Sequence, residues 1–298
     1  MKLPVFASGQ NLLGHLGAIS VVMLWGTTFV SSKVLLNAGL QPADIFFYRF
    51  TIAYICLLLI SHKKMWADSL WDELTMVGLG IMGGSLYFLT ENMALIYSTT
   101  ANVSILVSSC PLLTALVLAI FYKSERLNGK QIIGSLIAFV GVILVVLNGQ
   151  LVLHLNPRGD LLALTAALTW AFYSLFMKHV MTRYSPDFIT RKVFGYGLLT
   201  ILPYFLLVHP LHTDTTLLLQ PKIISNLLFL GLLASTGGYL LWNWVMQKLG
   251  AMKATNYLYS QTLITMVAGH LILGEPITWM ALFGASILIA GTVRALRK

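Results

Sequence analysis

The sequence predicts an all-α integral membrane protein of ten transmembrane helices arranged as two inverted five-helix repeats, and three observations carry that prediction. Hydrophobic residues fill 57% of the 298 positions and charged ones only 10%, with a mean hydropathy of +0.82, whereas soluble domains carry about 25% charge. Apolar stretches of roughly 20 residues recur along the whole chain, each long enough to cross a hydrocarbon layer about 30 Å thick. Finally, residue patterns of the first half return in the second at matched spacing, which marks an internal duplication.

Taken in order, the apolar runs and their polar punctuation place spans at 14–36, 42–61, 74–97, 100–121, 130–148, 159–181, 187–208, 223–247, 252–273 and 276–296. Helix is the spanning element because runs such as Ile132 to Leu147 are apolar on both faces, whereas a barrel strand alternates. The first run extends from Gly14 past Lys33 with no small-residue cleavage site, so it reads as a retained span rather than a signal peptide. With the N-terminus in the cytoplasm, Lys63, Lys64, Lys123, Arg126, Lys130, Arg183, Lys248, Lys253, Arg294, Arg297 and Lys298 all fall on that side. Only Lys33, Arg49, Arg158 and Lys222 fall towards the outside, a bias that puts both termini in the cytoplasm and requires an even span count. The formal charge of +9 is therefore a statement of orientation, and nucleic acid is not an expected partner. Cys56 and Cys110 both lie inside apolar segments and read as packing residues.

The repeat is explicit. Trp25 and Lys33 recur at the same separation as Trp170 and Lys178; Gly83, Gly84 and Asn102 recur as Gly237, Gly238 and Asn256; Glu125, Gly134 and Gly141 recur as Glu275, Gly284 and Gly291. The expected halves are 1–148 and 149–298. Because each half has an odd number of spans, the second must insert upside down. Inverted repeats are characteristic of secondary transporters, whose substrate site lies at the repeat interface near the bilayer midplane.

The Trp25-Gly26 pair, the Glu125-Arg126-Leu127 turn followed by Gly134 and Gly141, and the matching Glu275-Pro276-Ile277 turn followed by Gly284 and Gly291 carry a family likeness over essentially the whole chain. In these the sequence resembles the drug/metabolite transporter superfamily, in its EamA-like branch of ten-span proteins. The resemblance implies a multi-pass plasma-membrane protein, as in a bacterial inner membrane, that transports and commonly exports amino acids or other small metabolites. It also implies a central cavity formed mainly by spans 1, 3, 4, 6, 8 and 9, without fixing the substrate.

Within the spans, Glu91 is the one carboxylate placed well inside a predicted helix, and an ionisable group at that depth faces a cavity or a partner. Glu91 and Arg49 both sit roughly 10 Å from the outer surface at about 1.5 Å per residue, so they are candidates for an ion pair. Two readings stand: mutual neutralisation between helices, or recognition of a substrate amine or passage of a coupling proton. Lys33 is a second possible partner, although both it and Lys178 are long enough to snorkel to the interface. Gly80, Gly84, Tyr87 and Glu91 share one helix face. Trp25 and Trp170 fall at span centres, away from the interfacial belt that Trp66, Trp71 and Trp279 obey, and as symmetry mates they should meet near the pseudo-twofold axis. They line a pocket or they pack the core. Thr28 and Ser32 continue the Trp25 face and Tyr173 that of Trp170; Ser235, Tyr239 and Trp242 form a stripe with Asn243 beside it; Tyr257 and Gln261 lie one turn apart. Each of these, with Asn102, Ser104 and Ser108, either orients a polar substrate or hydrogen-bonds between helices. Pro111 should kink its helix.

Other classes fit less well. The literal GxGxxG at Gly78–Gly83 lies within one span, not between a strand and a helix, and no P-loop occurs. An intramembrane enzyme would need converging nucleophile, base or metal ligands, but the seven histidines are dispersed and His209 and His212 lie in an outer loop. The position matching Glu91 in the second half is Val245, so the cavity should be acidic on one side only, and Arg191 and Lys192 roughly mirror Arg49. The expectation is thus a carrier with no cofactor whose partners are a small-molecule substrate and the lipid bilayer; oligomeric state is not legible.

Overall fold

Helix-start chemistry recurs at nearly every span. In a computed structural model, which describes residues 9–62, 64–97, 103, 106–122, 128–147, 156–273 and 277–296, α1 (Gly9–Asn37) is followed by α2 (Pro42–Ile60). Between them Gly39 takes a positive φ, and the Gln41 amide donates to Asp44 to cap α2. Helix α3 covers Leu70–Tyr97, its start fixed by Ser69 Oγ accepting from the Asp72 amide at 3.1 Å. The described part of α4 is Cys110–Phe121, and α5 is Gly129–Leu147. The second half repeats the series as α6 (Pro157–Val180), α7 (Pro186–Leu207), α8 (Pro221–Leu249), α9 in three pieces (Ala251–Thr255, Asn256–Ser260 and Gln261–Leu273) and α10 (Trp279–Leu296). Proline occupies the first turn of α2, α4, α6, α7 and α8, where its missing N–H costs nothing.

Among the described residues, five helices are long and apolar enough to cross a membrane: Leu12–Asn37, Pro42–Ile60, Leu70–Tyr97, Pro157–Val180 and Pro221–Leu249. Shorter apolar helices, Cys110–Phe121, Gly129–Val145 and Trp279–Ala295, complete the bundle with α7 and α9. Leu59, Leu206 and Leu207 stand fully outside the protein interior, a surface that only lipid would cover. Glu125, Glu275, Asn102 and Ser104 lie outside the described residues.

Three features depart from the sequence reading. The kink expected at Pro111 is instead a helix start: turn residues Ser108 and Ser109 interrupt the fourth span and Pro111 sits in the first turn that follows. A short helical turn, Thr215–Leu218, lies in the α7–α8 connection, capped by Asp214. Both α3 and α8 widen into π-helix, at Ile81–Ser85 and Phe229–Gly237, around the Gly-Gly pairs. Such widening frees carbonyls from the regular ladder and gathers at functional sites.

The packing is symmetric. Helix α1 packs on α8 and α9, while its mate α6 packs on α3 and α4; α2 lies against α8 as α7 lies against α3; α2 meets α7, and α5 meets α10. At the α5–α10 crossing, a Cβ added to Gly141 would stand 2.3 Å from Leu288 N, and one added to its counterpart Gly291 would stand 2.2 Å from Ala138 N. Gly134 meets Ala295 and Gly284 meets Val145 in the same way. These main helix contacts are carried into one another by exchanging the halves, and rising positions on α5 meet falling ones on α10. The two mates run antiparallel, so the exchange axis lies in the membrane plane and the repeats are inverted.

Candidate substrate cavity

The symmetry mates Trp25 and Trp170 come together edge to face, ring centroids 5.6 Å apart, at the centre of the bundle. Tyr239 lies 5.5 Å from Trp25, and Tyr87 lies 5.1 Å from Trp170. These rings bound a cavity of about 50 Å³, closely walled by aromatic side chains. The π-segments hold the rings in place across the repeats. Trp25 Nε1 donates to the Ala234 carbonyl of the α8 π-segment at 2.9 Å, and the Tyr239 hydroxyl donates to the Gly83 carbonyl of the α3 π-segment at 2.6 Å. One carbonyl in each π-segment is thus satisfied by an aromatic residue of the other half. The match is incomplete, because Trp170 Nε1 is buried with no hydrogen-bond partner among the described residues.

Two opposite charges face this cavity. Arg49 is 3% exposed and Glu91 8%. Arg49 Nε donates to Ser235 Oγ at 2.9 Å, and its guanidinium lies 4.4 Å over the Phe88 ring, a cation–π contact. Glu91 accepts a hydrogen bond from the Tyr87 hydroxyl at 2.8 Å. The direct ion pair considered from sequence is not formed: each charge is hydrogen-bonded by a neutral group, and the two line the same cavity close enough to attract one another without touching. An arrangement of this kind offers a carboxylate and a guanidinium to one ligand, with aromatic faces between them.

A model of the EamA-like transporter family matches residues 12–147 and again residues 157–297. The chain belongs to this family. A transporter of Archaeoglobus fulgidus is 27% identical over 281 residues, covering 93% of this chain and 96% of that protein. A Salmonella typhimurium protein named "probable amino-acid metabolite efflux pump" is 28% identical over 286 residues, covering 92% and 91%. One from Streptantibioticus cattleyicolor, named "probable terminal-alkyne amino-acid exporter", is 25% identical over 282 residues, covering 94% and 92%. A solved crystal structure superposes with a TM-score of 0.73 at 16% identity over 95% of this chain and 96% of its own, which establishes the likeness of fold. The EamA-like chain is accordingly a multi-pass membrane transporter.

Of the residues singled out by sequence, Trp25, Thr28, Arg49, Tyr87, Glu91, Ser108, Trp170, Tyr239 and Gln261 line the cavity. Three stand behind the wall. Trp242 packs 5.3 Å from Trp25, and Tyr173 donates to Asn243, whose Nδ2 donates to Thr190 at 2.9 Å. Tyr257 turns away to His15, 2.5 Å from its Nδ1. Lys33 is half-buried and not part of the lining, so it does not serve as the partner of Glu91. Asn102 lies outside the described residues. Sequence reasoning missed Phe29, Phe88, Val107, Cys110, Leu258 and Thr262 as wall residues. Phe29, Phe88 and Thr262 each adjoin a residue it did select, and Ser108 meets Thr262 at 3.1 Å; apolar Leu258 and Cys110 carry no signal that separates wall from core.

Proposed function

We propose that this EamA-like protein is a secondary transporter that exports an amino acid or a closely related amphipathic metabolite by alternating access around the central cavity. The observation that carries this reading is the pair of opposite, separated charges, Arg49 and Glu91, facing one aromatic-walled space. A zwitterion spans them with its carboxylate on the Arg49 guanidinium, which suits that group geometrically, and its ammonium on Glu91. The apolar part of the substrate then lies against Trp25, Tyr87, Trp170 and Tyr239. Burial without a counter-ion in direct contact makes each charge costly in the empty site, and a substrate that brings a contacting counter-ion to both relieves both costs at once. The names of the Salmonella and Streptantibioticus relatives support amino-acid cargo and export.

The loop charges support an orientation with both termini in the cytoplasm of a plasma-membrane protein. The π-segments of α3 and α8, held by cross-repeat bonds to Tyr239 and Trp25, are the natural places for the halves to bend as they exchange conformations. A second reading, in which Glu91 also carries a coupling proton, is favoured by its burial and by its position as the carboxylate of the cavity wall.

Counterflow in proteoliposomes preloaded with an amino-acid mixture tests the proposal. Saturable exchange is expected for one or a few zwitterions, and not for the corresponding decarboxylated amine or the deaminated acid. Equal exchange of all three analogues would overturn the two-charge reading, and no exchange of any amino acid would overturn the substrate class. Exchange that persists in Glu91→Gln but no longer follows an imposed pH gradient, as it does in wild type, would assign Glu91 to the proton instead of to the substrate ammonium.

A further inference from the structure

A second concavity lies away from the central cavity, on the outer surface of the bundle between α2 and α7, at the end that carries the α2–α3 loop. Its volume is about 430 Å³. The lower walls are apolar and face the lipid: Leu199 is 59% exposed and Leu202 42%. At its head stand Arg191 and Lys192 with Trp66, whose ring is 70% exposed and lies 4.6 Å from Lys192 Nζ. An indole in that position marks the depth of the headgroups.

The two cations are not equivalent. Lys192 is paired with the Glu73 carboxylate, which also accepts from Tyr196, so its charge is balanced within the protein. Arg191 is 2% exposed, and its guanidinium donates to the carbonyls of Ser61 and Lys64 at the end of α2. Among the described residues no carboxylate lies in ion-pair contact with it. Carbonyl dipoles and the Phe188 ring 5.4 Å away soften the burial of this cation, but they bring no negative charge, and a buried ion without a counter-ion is expensive. The groove therefore carries one unbalanced positive charge at its head and continues as a hydrocarbon-lined channel into the membrane.

We propose that this groove binds one anionic phospholipid of the leaflet that faces the α2–α3 loop, its phosphate at Arg191 and Lys192 and an acyl chain along Leu199 and Leu202. A phosphodiester supplies the single negative charge that Arg191 lacks, and the chain covers leucines that would otherwise be half in the groove. Basic pockets between helices at the headgroup level are suited to such lipids. A soluble phosphate satisfies the head but leaves the channel empty; a zwitterionic lipid fills the channel but adds no net charge. The site shares no lining residue with the central cavity and does not depend on the identity of the transported substrate.

The test is native mass spectrometry of the full chain released from nanodiscs holding equal amounts of dioleoyl phosphatidylglycerol and dioleoyl phosphatidylcholine. Wild type should retain one phosphatidylglycerol about fivefold in preference, the scale set by one basic contact. Arg191→Gln should bring the ratio to parity. Because that change also releases the α2–α3 loop, Leu199→Trp is the second variant: it fills the channel from the lipid side and touches no charge. Its melting temperature in pure phosphatidylcholine should equal that of wild type, with the preference lost. A wild-type ratio near parity, a preference that survives Leu199→Trp, or displacement of the lipid by millimolar glycerol phosphate would each overturn the proposal, the last in favour of a soluble anion. A dimer that added lipid does not disperse would assign the groove to a second copy instead.

Discussion

The crossing of α5 and α10 permits a prediction in which one half of the protein serves as the control for the other. A methyl group placed on Gly141 lands 2.3 Å from Leu288 N and 2.6 Å from Leu288 Cα; on Gly291 it lands 2.2 Å from Ala138 N and 2.6 Å from Ala138 Cα. These neighbours are backbone, so no rotamer change makes room. The helices must instead separate by about 1 Å, a gap that forfeits a quarter to a half of the dispersion energy of each contact along the crossing. Overpacking of this type costs about 1–3 kcal/mol, which in thermal unfolding is a fall on the order of 5 °C. Symmetry adds two stronger conditions. Gly141→Ala and Gly291→Ala should lower the melting temperature equally in detergent, and the double variant should lose less than the sum, because the first methyl has already opened the space the second needs. The assay is differential scanning fluorimetry of the four purified proteins. If one glycine tolerates alanine while its mate does not, or if the two losses add in full, the inference of a twofold-related close approach fails.

Further expectations follow from the cavity and the connections. Trp25→Phe removes the hydrogen bond to Ala234 and leaves that carbonyl unpaired, costing about 1 kcal/mol of stability. Trp170→Phe removes an N–H that has no partner, so thermal stability should be unchanged or higher and any effect confined to transport; equal destabilisation of both variants counts against the asymmetry. Glu91→Gln keeps an acceptor for the Tyr87 hydroxyl, so the protein should remain folded and monodisperse while zwitterion exchange is lost; wild-type exchange in this variant removes Glu91 from the site. Arg49→Lys retains charge without the guanidinium fork, so the KM for a carboxylate-bearing substrate should rise by about tenfold or more with folding intact. Gly250 joins α8 to α9 at φ 83° with nothing within 4 Å of a would-be Cβ. Gly250→Ala should therefore lose about 1–2 kcal/mol through backbone strain alone, measurable as a lower melting temperature.

Much of the fold is legible because the membrane restricts the choices: backbone groups in lipid must be satisfied within helices, so apolar length and loop charge go far towards an architecture. The repeated glycines were legible for a similar reason, since only the smallest residue permits the backbone contacts at Gly134 and Gly141. The Trp25–Trp170 meeting followed from symmetry once the repeats were aligned. Less of the local geometry could be read. The Gly-Gly pairs of α3 and α8 suggest close packing, but the switch to π-helix depends on cross-repeat donors, Trp25 and Tyr239, that no linear pattern connects to them. Depth alone placed Arg49 beside Glu91, whereas Ser235 and Tyr87 compete successfully for those side chains. Tyr257 and Gln261 share a helix face by spacing, yet the 3₁₀ stretch Asn256–Ser260 between them turns Tyr257 towards His15 and leaves Gln261 at the cavity.

The glycine crossing also bears on measurement. Exchanging the halves turns α1–α8 contacts into α6–α3 contacts, so those two sets must trade places if the protein passes between its two faces. The α5–α10 contact is its own image, and the same exchange returns it unchanged. Under the proposed alternating access it is a stationary point. Spectroscopic labels placed across it should report one constant separation while labels across α1–α8 report two, giving any distance experiment an internal ruler within the molecule.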